Sequence, residues 1–348
     1  MCGITGFVGK GTLGDLESMH ATINHRGPDD KGLYFSAGVG LAHARLSILD
    51  VSERGRQPMW NVEKTVAIVF NGEIYNFQEL KEELKSQGSH EFQSGTDTEV
   101  ILALYDEYGE KCFEKLNGMF AIALYDFRLN KLLVARDRFG EKPLYWGIFD
   151  GTFVFGSELK ALLKHPSFKK EISLESLNKY LSYEYVPTPH SIFKNVYKLE
   201  PASYLVFENG EITKKSFWKL AFDQKNMSLE EGLKMLDERL EESVKQRLVS
   251  DVPLGVFLSG GLDSSAVAYY AQKHSEQKVK TFSIGFEEES FDESDYAKLV
   301  SEHLGTDHHS KIVSAHDLLE MVPHIATVID EPLADASIVP TLALSKFA

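Results

Sequence analysis

A chain of 348 residues is longer than the about 250–300 that one growing core usually accommodates, and so predicts two domains. Its 43% hydrophobic and 26% charged residues are the balance of a globular protein, with no sign of disorder, low complexity or a repeat array. A net charge of -15 repels nucleic-acid phosphates and anionic lipid; with no basic patch to offset it, nucleic-acid and membrane-surface roles are excluded and small molecules are the expected partners.

The N-terminus carries Cys2, Gly3 and Ile4 with no basic region or cleavage site of a secretory signal, and no apolar run approaches about 20 residues, so the expected location is the cytoplasm. Short strands bounded by Gly, Asn, Asp or Pro are predicted at 2–8, 39–49, 65–71, 119–126, 131–136, 144–148, 152–156 and 202–207. Helical stretches at 77–87, 96–108 and 174–183 interrupt them, an α+β pattern suggesting stacked sheets. Cys112, in the helical run 101–113, reads as a small buried hydrophobe. The two cysteines, Cys2 and Cys112, are too few for a disulfide framework.

From Ser228 the pattern becomes βαβα: helix 229–248, strand 252–258, helix 264–273, strand 279–286 and helix 293–304. That alternation predicts a parallel sheet. The domains are expected at 1–222 and 223–348. An apolar helical run starts near Ser337 and is cut at Ala348; with only two strand–helix units, the second domain is expected to be incomplete at its C-terminal end.

The stretch from Val256 to Ser265 reads as a buried strand ending at Leu258, then a turn through Gly260 and Gly261 into a helix. Glycines let backbone N–H groups approach a phosphate, the helix N-terminus offers unpaired donors, and Ser259, Ser264 and Ser265 add hydroxyls. The blander reading is a glycine turn with a serine N-cap. No lysine stands where a Walker loop needs one, which disfavours γ-phosphate transfer. The stretch resembles the pyrophosphate loop of the ATP pyrophosphatases, which cleave ATP to AMP and pyrophosphate; the resemblance implies that Asp263 helps hold magnesium.

Cys2 would carry both a thiol and, once Met1 is removed, a free α-amine, whose ordinary pKa of about 7.7–8.0 suits it to accept the thiol proton. Its companions are Arg26-Gly27-Pro28-Asp29, His43-Ala44-Arg45-Leu46-Ser47-Ile48, Asn71-Gly72-Glu73-Ile74-Tyr75-Asn76 and Gly95-Thr96-Asp97-Thr98-Glu99. Together they resemble a class II glutamine amidotransferase domain. Followed by the pyrophosphate loop, they resemble a glutamine-hydrolysing asparagine synthetase over nearly the whole chain.

That resemblance implies an αββα N-terminal-nucleophile sandwich followed by an α/β adenine-nucleotide domain. It implies that Cys2 attacks glutamine, that Asn71 and the Gly72 N–H form an oxyanion hole, and that Arg45 grips the glutamine α-carboxylate. Leu46, Ser47, Ile48 and Leu49 would line the glutamine site, with Asp97 and the Glu73 region holding the ammonium. Glu73 and Arg26 carry the weaker claims, since Arg26 has the alternative role of fixing the loop that covers the pocket. Leu258 and Ile284 would contact adenine and ribose of ATP. The implied reaction releases glutamate and ammonia, and the ammonia amidates a β-aspartyl-AMP made from aspartate and MgATP. A homodimer is the common assembly of the family.

Ordinary readings compete residue by residue: Arg45 as a surface ion pair, Asn71-Gly72 as a hairpin turn, Asp97 as a helix N-cap, Ile284 as core. His308, His309 and His316 lack zinc-type spacing and read as solvated or capping, as does the acidic stretch 287–294. Residues Asp330, Glu331, Pro332 and Ala334 to Ser337 fall where the family places part of its acceptor pocket, but no arginine for an acceptor α-carboxylate is present there. The family's downstream Ser-Gly-x-Gly-x-Asp-Glu loop lies beyond Ala348. The rival readings are an amidotransferase for another carboxylate, a glutaminase-only fragment, and a non-catalytic nucleotide sensor.

Overall fold

Along the strand Val66–Ile74, Val66, Ile68 and Phe70 enter one hydrophobic cluster while Ala67 and Val69 enter another. The same split recurs on Gly118–Asp126, where Phe120, Ile122 and Leu124 part from Ala121, Ala123 and Tyr125. Alternate side chains point to opposite faces, so a strand apolar at every position must be covered on both. The computed structural model, which describes residues 1–348 except 89, 224, 225, 289 and 291, meets that demand with two sheets packed face to face.

In spatial order the first sheet is Val196–Lys198, Tyr145–Phe149, Thr152–Gly156, Gly3–Val8, Val39–Arg45 and Asp30–Ser36. The second is Glu211–Ser216, Ser203–Glu208, Lys131–Arg136, Gly118–Asp126, Val66–Ile74 and Met59–Trp60. Neighbouring strands in both sheets are antiparallel. Ile4, Leu41, Val69, Phe153 and Leu205 fill the space between the sheets. The helices Leu13–Ala21 and Leu159–Leu162 cover the first sheet through Leu16, Met19, Leu159 and Leu162. Phe77–Ser86 and Asp97–Tyr108 cover the second through Leu80, Leu84, Val100 and Leu104. The layers are therefore αββα.

The predicted helix over 101–113 is two pieces: Asp97–Tyr108 ends at Gly109, whose φ of +57° stops it, and Cys112 opens the short helix Cys112–Lys115, fully buried as expected. The strand predicted to reach Leu49 stops at Arg45.

The chain divides into two compact units, Met1–Ala221 with Asp330–Leu333, and Phe222–Ile329 with Ala334–Ala348. The second unit holds a parallel sheet of Gly255–Phe257, Lys280–Phe286 and Asp307–Val313. Its helices are Leu229–Arg247, Leu262–Lys273, Ser294–Leu304, Ala315–Val328 and Ile338–Phe347. The expected two strand–helix units are one short: Asp307–Val313 followed by Ala315–Val328 is a third. His308 and His309 lie in this strand: His309 is solvent-exposed as expected, whereas His308 is half-buried, with its Nδ1 2.9 Å from Thr281 Oγ1. Of the acidic stretch, Glu289 and Phe291 lie outside the described residues; Asp292 accepts from the Ser294 N–H at 3.0 Å, a local cap. No helix among the described residues is long and apolar enough to cross a membrane.

Candidate functional site

Cys2 precedes the strand Gly3–Val8, and Arg45 ends its neighbour Val39–Arg45, in register with Gly3 facing Ala44. The pairing brings the Cys2 Sγ to the chain just after Arg45: it accepts from the Leu46 N–H at 3.4 Å and donates to the Leu46 carbonyl at 3.5 Å. Burial pushes the thiol pKa up, and the Leu46 backbone only partly counters it. The Met1 amine beside it is pushed below its usual value, first by burial and then by Arg26 and Lys142.

One small cavity, of about 30 Å³, is lined by Cys2, Arg45, Leu46, Ile48, Leu49, Gly55, Gln57, Phe70, Gly72, Glu73, Thr96, Asp97 and Thr98. It has room for about one water. Ser47 is not in its lining; the Ser47 N–H donates to Asp29 Oδ2 at 2.8 Å, and this ties the 46–57 loop to the Arg26–Asp29 motif.

Arg45 is not a surface ion pair. It is buried, and its guanidinium donates to the carbonyls of Ser52 at 2.9 Å, Asp50 at 2.5 Å and Leu49 at 3.4 Å. The fork that sequence reasoning reserves for a carboxylate is, in this state, turned onto the loop.

Asn71 and Gly72 form no hairpin turn; both lie inside Val66–Ile74, paired with Ala121 and Phe120. A Cβ on Gly72 would stand 2.1 Å from the Met119 carbonyl oxygen, so only glycine allows the strands to close there. Asn71 is buried, and its Nδ2 has no hydrogen-bond partner among the described residues. A buried donor without a partner costs about 1–3 kcal/mol; Asn71, like Ser47, is nevertheless not in the cavity's lining, whereas Phe70 and Gly72 on either side of it are.

Thr96, not Asp97, caps the helix Asp97–Tyr108, accepting from the Glu99 N–H at 3.3 Å. Asp97 is its first residue, buried, with Oδ2 accepting from the Ile74 N–H at 2.9 Å. Burial raises its carboxyl pKa, and burial together with the Asp97 charge raises that of Glu73. Two carboxyls are thus held in one low-dielectric corner with a poor supply of counter-charge, a demand that a cation satisfies.

Sequence reasoning overlooked Gly55, Gln57, Phe70, Thr96 and Thr98 as lining, and Lys142 as a neighbour. Lys142 is buried, its Nζ 2.9 Å from the Met1 Sδ, and its pKa is lowered by burial first and then by Arg26. It stands 141 residues from Met1 along the chain, and no local pattern marks it.

In the second unit the loop after Gly255–Phe257 is a turn closed by its own hydroxyls. Ser259 Oγ lies 3.0 Å from Ser264 Oγ, the Gly261 N–H donates to Ser259 Oγ at 3.3 Å, and Ser264 Oγ donates to the Gly261 carbonyl at 3.2 Å. Gly261 rather than a serine occupies the N-cap of Leu262–Lys273 and makes no side-chain cap, leaving first-turn donors open. Gly260 has a φ of +81°, and a Cβ there would stand 2.5 Å from Tyr296 Cβ. Ser265 Oγ is buried with no partner among the described residues. These features suit a phosphate. Asp263, exposed in the first helical turn, is one carboxylate at that edge; no cluster of three or more His, Cys, Asp or Glu forms a metal site among the described residues. One carboxylate with substrate phosphates is a set magnesium commonly accepts.

Leu258 is buried and its N–H donates to the Phe282 carbonyl at 2.9 Å, while Ile284, half-buried, lies two residues further along Lys280–Phe286. Both sit toward the carboxyl ends of parallel strands, where open α/β sheets bind ligands. A cavity of about 1010 Å³ in this unit lies at the opposite end, around Val244, Pro253, Gly255 and Val279. It does not include the loop.

Residues 1–218 match the glutamine amidotransferase domain family, and 235–348 match the asparagine synthase family. The sequence is 39% identical over 379 residues to a Methanocaldococcus jannaschii protein provisionally named asparagine synthetase (glutamine-hydrolyzing) 2, covering 100% of this chain and 72% of that one. It is 38% identical over 356 residues to Bacillus subtilis asparagine synthetase (glutamine-hydrolyzing) 1, covering 100% of this chain but only 56% of the relative, so the chain spans little more than half of that protein's length. A solved structure described as the allosteric regulatory enzyme of purine biosynthesis aligns with 89% of this chain and 80% of its own at 16% identity, with a TM-score of 0.51, a likeness of fold alone. With both domains present in this order, the chain belongs to the glutamine-hydrolysing asparagine synthetase family, ligases that draw on glutamine.

Proposed function

We propose that the chain takes ammonia from glutamine at Cys2 and uses it to amidate an ATP-activated carboxylate, that of aspartate. The observation that carries the reading is the convergence of Cys2, Arg45, Gly72, Glu73 and Asp97 on one cavity from four separate stretches of sequence.

In this reading removal of Met1 leaves Cys2 with a free α-amine, which accepts the thiol proton. The thiolate attacks the side-chain amide carbon of glutamine, and the oxyanion meets the Gly72 N–H and the partnerless Nδ2 of Asn71. The amide C–N bond breaks, the nitrogen takes up the proton and leaves as ammonia, and water then cleaves the γ-glutamyl thioester. Glu73 and Asp97 hold the substrate ammonium, whose charge relieves their mutual repulsion. Arg45 turns from its loop carbonyls to the substrate carboxylate, so that binding and loop movement are one event.

ATP with magnesium supplies the adenylyl group that activates the acceptor. The backbone around Gly260 and Gly261 and the hydroxyls of Ser259, Ser264 and Ser265 would hold its phosphates, with Asp263 toward the metal and Leu258 and Ile284 against base and ribose. Internal delivery of ammonia matters because ammonium has no lone pair to attack with. A cytoplasmic, homodimeric enzyme fits the same reading.

The test is glutamine labelled at its amide nitrogen, supplied with MgATP and aspartate and followed by NMR beside Cys2→Ala. Label in asparagine, absent in the variant, is the expected result. Label only in free ammonia would reject asparagine synthesis by this chain and retain the Cys2 site. No release at all would sink the glutaminase as well.

A further inference from the structure

Residues Asp330–Leu333 lie within the stretch matching the asparagine synthase family, yet they pack as part of the first unit. Two carboxylates, each 10% exposed, hold them there. Glu331 accepts from the Ile192 N–H at 2.7 Å and pairs with Lys198 at 2.5 Å, with the Tyr145 hydroxyl at 3.5 Å. Asp330 meets both the backbone N–H and the Nζ of Lys160, each at 3.3 Å.

The two anchors differ in where they lead. From Lys160 the Nζ reaches Glu158 Oε2 at 2.9 Å, and Glu158 Oε1 accepts from Arg26 Nη1 at 2.8 Å. Arg26 Nε donates to the Cys2 carbonyl at 2.9 Å. Charges alternate along Asp330, Lys160, Glu158 and Arg26, and the last member grips the residue that bears the thiol. None of the four side chains is more than 22% exposed. A branch leads to His25, 3.0 Å from Glu158 and largely in solvent. Although burial alone would raise it, the Glu158 carboxyl is held below its usual range by hydrogen bonds from Arg26 and Lys160. The contacts of Glu331, by contrast, end on Lys198, Ile192 and Tyr145.

We propose that Asp330 is a positioning residue for glutamine hydrolysis, fixing the Cys2 backbone through Lys160, Glu158 and Arg26. The inference rests on the Cys2 reading above. Breaking a buried ion pair leaves its partner to find another. Without Asp330, Lys160 shifts further toward Glu158, Glu158 relaxes its hold on Arg26, and Arg26 its hold on the Cys2 carbonyl. The thiol then sits differently against Leu46 and the cavity. Arg45, Glu73 and Asp97 are untouched, so turnover falls while substrate binding does not.

The full chain supplies its own control, because Glu331 anchors the same segment without leading to Cys2. Glutamate release would be measured for the wild type, Asp330→Asn, Asp330→Glu and Glu331→Gln, with Tm and the rate of Cys2 alkylation by iodoacetamide for each. Asp330→Asn is expected to lower kcat about 10-fold, given that small misplacements of reacting groups are costly, with KM within about twofold and an alkylation rate altered severalfold. Asp330→Glu should restore most of kcat. Glu331→Gln should lower Tm and leave kcat within about twofold. Losses of kcat that follow Tm alike in Asp330→Asn and Glu331→Gln would overturn the proposal, as would a folded Asp330→Asn with unchanged kcat and alkylation. Should Asp330→Asn fail to fold, Lys160→Gln cuts the same relay and is judged by the same outcomes. A wild type that releases no glutamate would defeat the functional reading; the alkylation rates would then decide the inference by themselves.

Discussion

The two cysteines are chemically unalike because of where the fold puts them. Cys112 is fully buried, and burial pushes its thiol far above the usual range, whereas Cys2 borders the cavity. Iodoacetamide on the native protein, followed by peptide mass mapping, should label Cys2 and leave Cys112 unmodified until denaturant is added. The Glu73–Asp97 pair makes a second prediction. Both carboxyls titrate above their ordinary values, so between those values and the raised ones the native state holds more protons than the unfolded chain. Stability is then fully present at low pH and falls as pH rises through that window. Glu73→Gln should stabilise the ligand-free protein at neutral pH by about 1.4 kcal/mol for each pKa unit removed, a gain that vanishes near pH 4 in urea melts. The same variant should bind glutamine more weakly. Cys2, Arg45, Gly72 and Asp97, which line the cavity, were legible in the sequence as residue types at motif positions, as was Asn71, which is not in the lining. Lys142, Gln57 and Glu158 were not, because each reaches Cys2's surroundings from a distant turn or strand end with nothing local to mark it.

At the scale of elements, strands inside the sheets announced themselves and most edge strands did not. Asp30–Ser36, Met59–Trp60, Val196–Lys198, Glu211–Ser216 and Asp307–Val313 were all missed, and every one is an edge of its sheet. An edge strand is covered less and tolerates charge, so Glu211–Ser216 reads Glu-Ile-Thr-Lys-Lys-Ser and shows no apolar run. Interior strands such as Val39–Arg45, buried at every position, carry the signal. Helix ends were legible where a side chain caps them. Thr96→Ala should cost about 1 kcal/mol by removing the bond to the Glu99 N–H, read as a lower midpoint in urea. Because Asp97 is the first residue of that helix, KM for glutamine should rise as well. In the glycine loop after Gly255–Phe257, Gly260→Ala forces a side chain into both a left-handed backbone and Tyr296. A loss of about 1–3 kcal/mol and at least about tenfold weaker ATP binding by calorimetry are expected.

For the molecule as a whole, the segment Asp330–Leu333 joins the first unit although about 110 residues of intervening chain belong to the second. A fragment ending at Ala221 therefore lacks two carboxylates of its own unit. It should keep its far-UV circular dichroism but lose about 3 kcal/mol in urea, because Lys198, 16% exposed, is left without Glu331. Lys198→Met in the fragment should recover part of that loss. Sequence by itself determined the class of each half, the two-layer hydrophobic demand of the interior strands, the phosphate-suited loop and the residue types of the Cys2 site, because these follow from local periodicity, turn chemistry and motif spacing. Only the tertiary structure decided that Arg45 holds its own loop, that Glu73 and Asp97 share one buried corner, and that Asp330 reaches Cys2 through three side chains. Those are statements about distance and desolvation, which depend on which distant segments the packed sheets bring together.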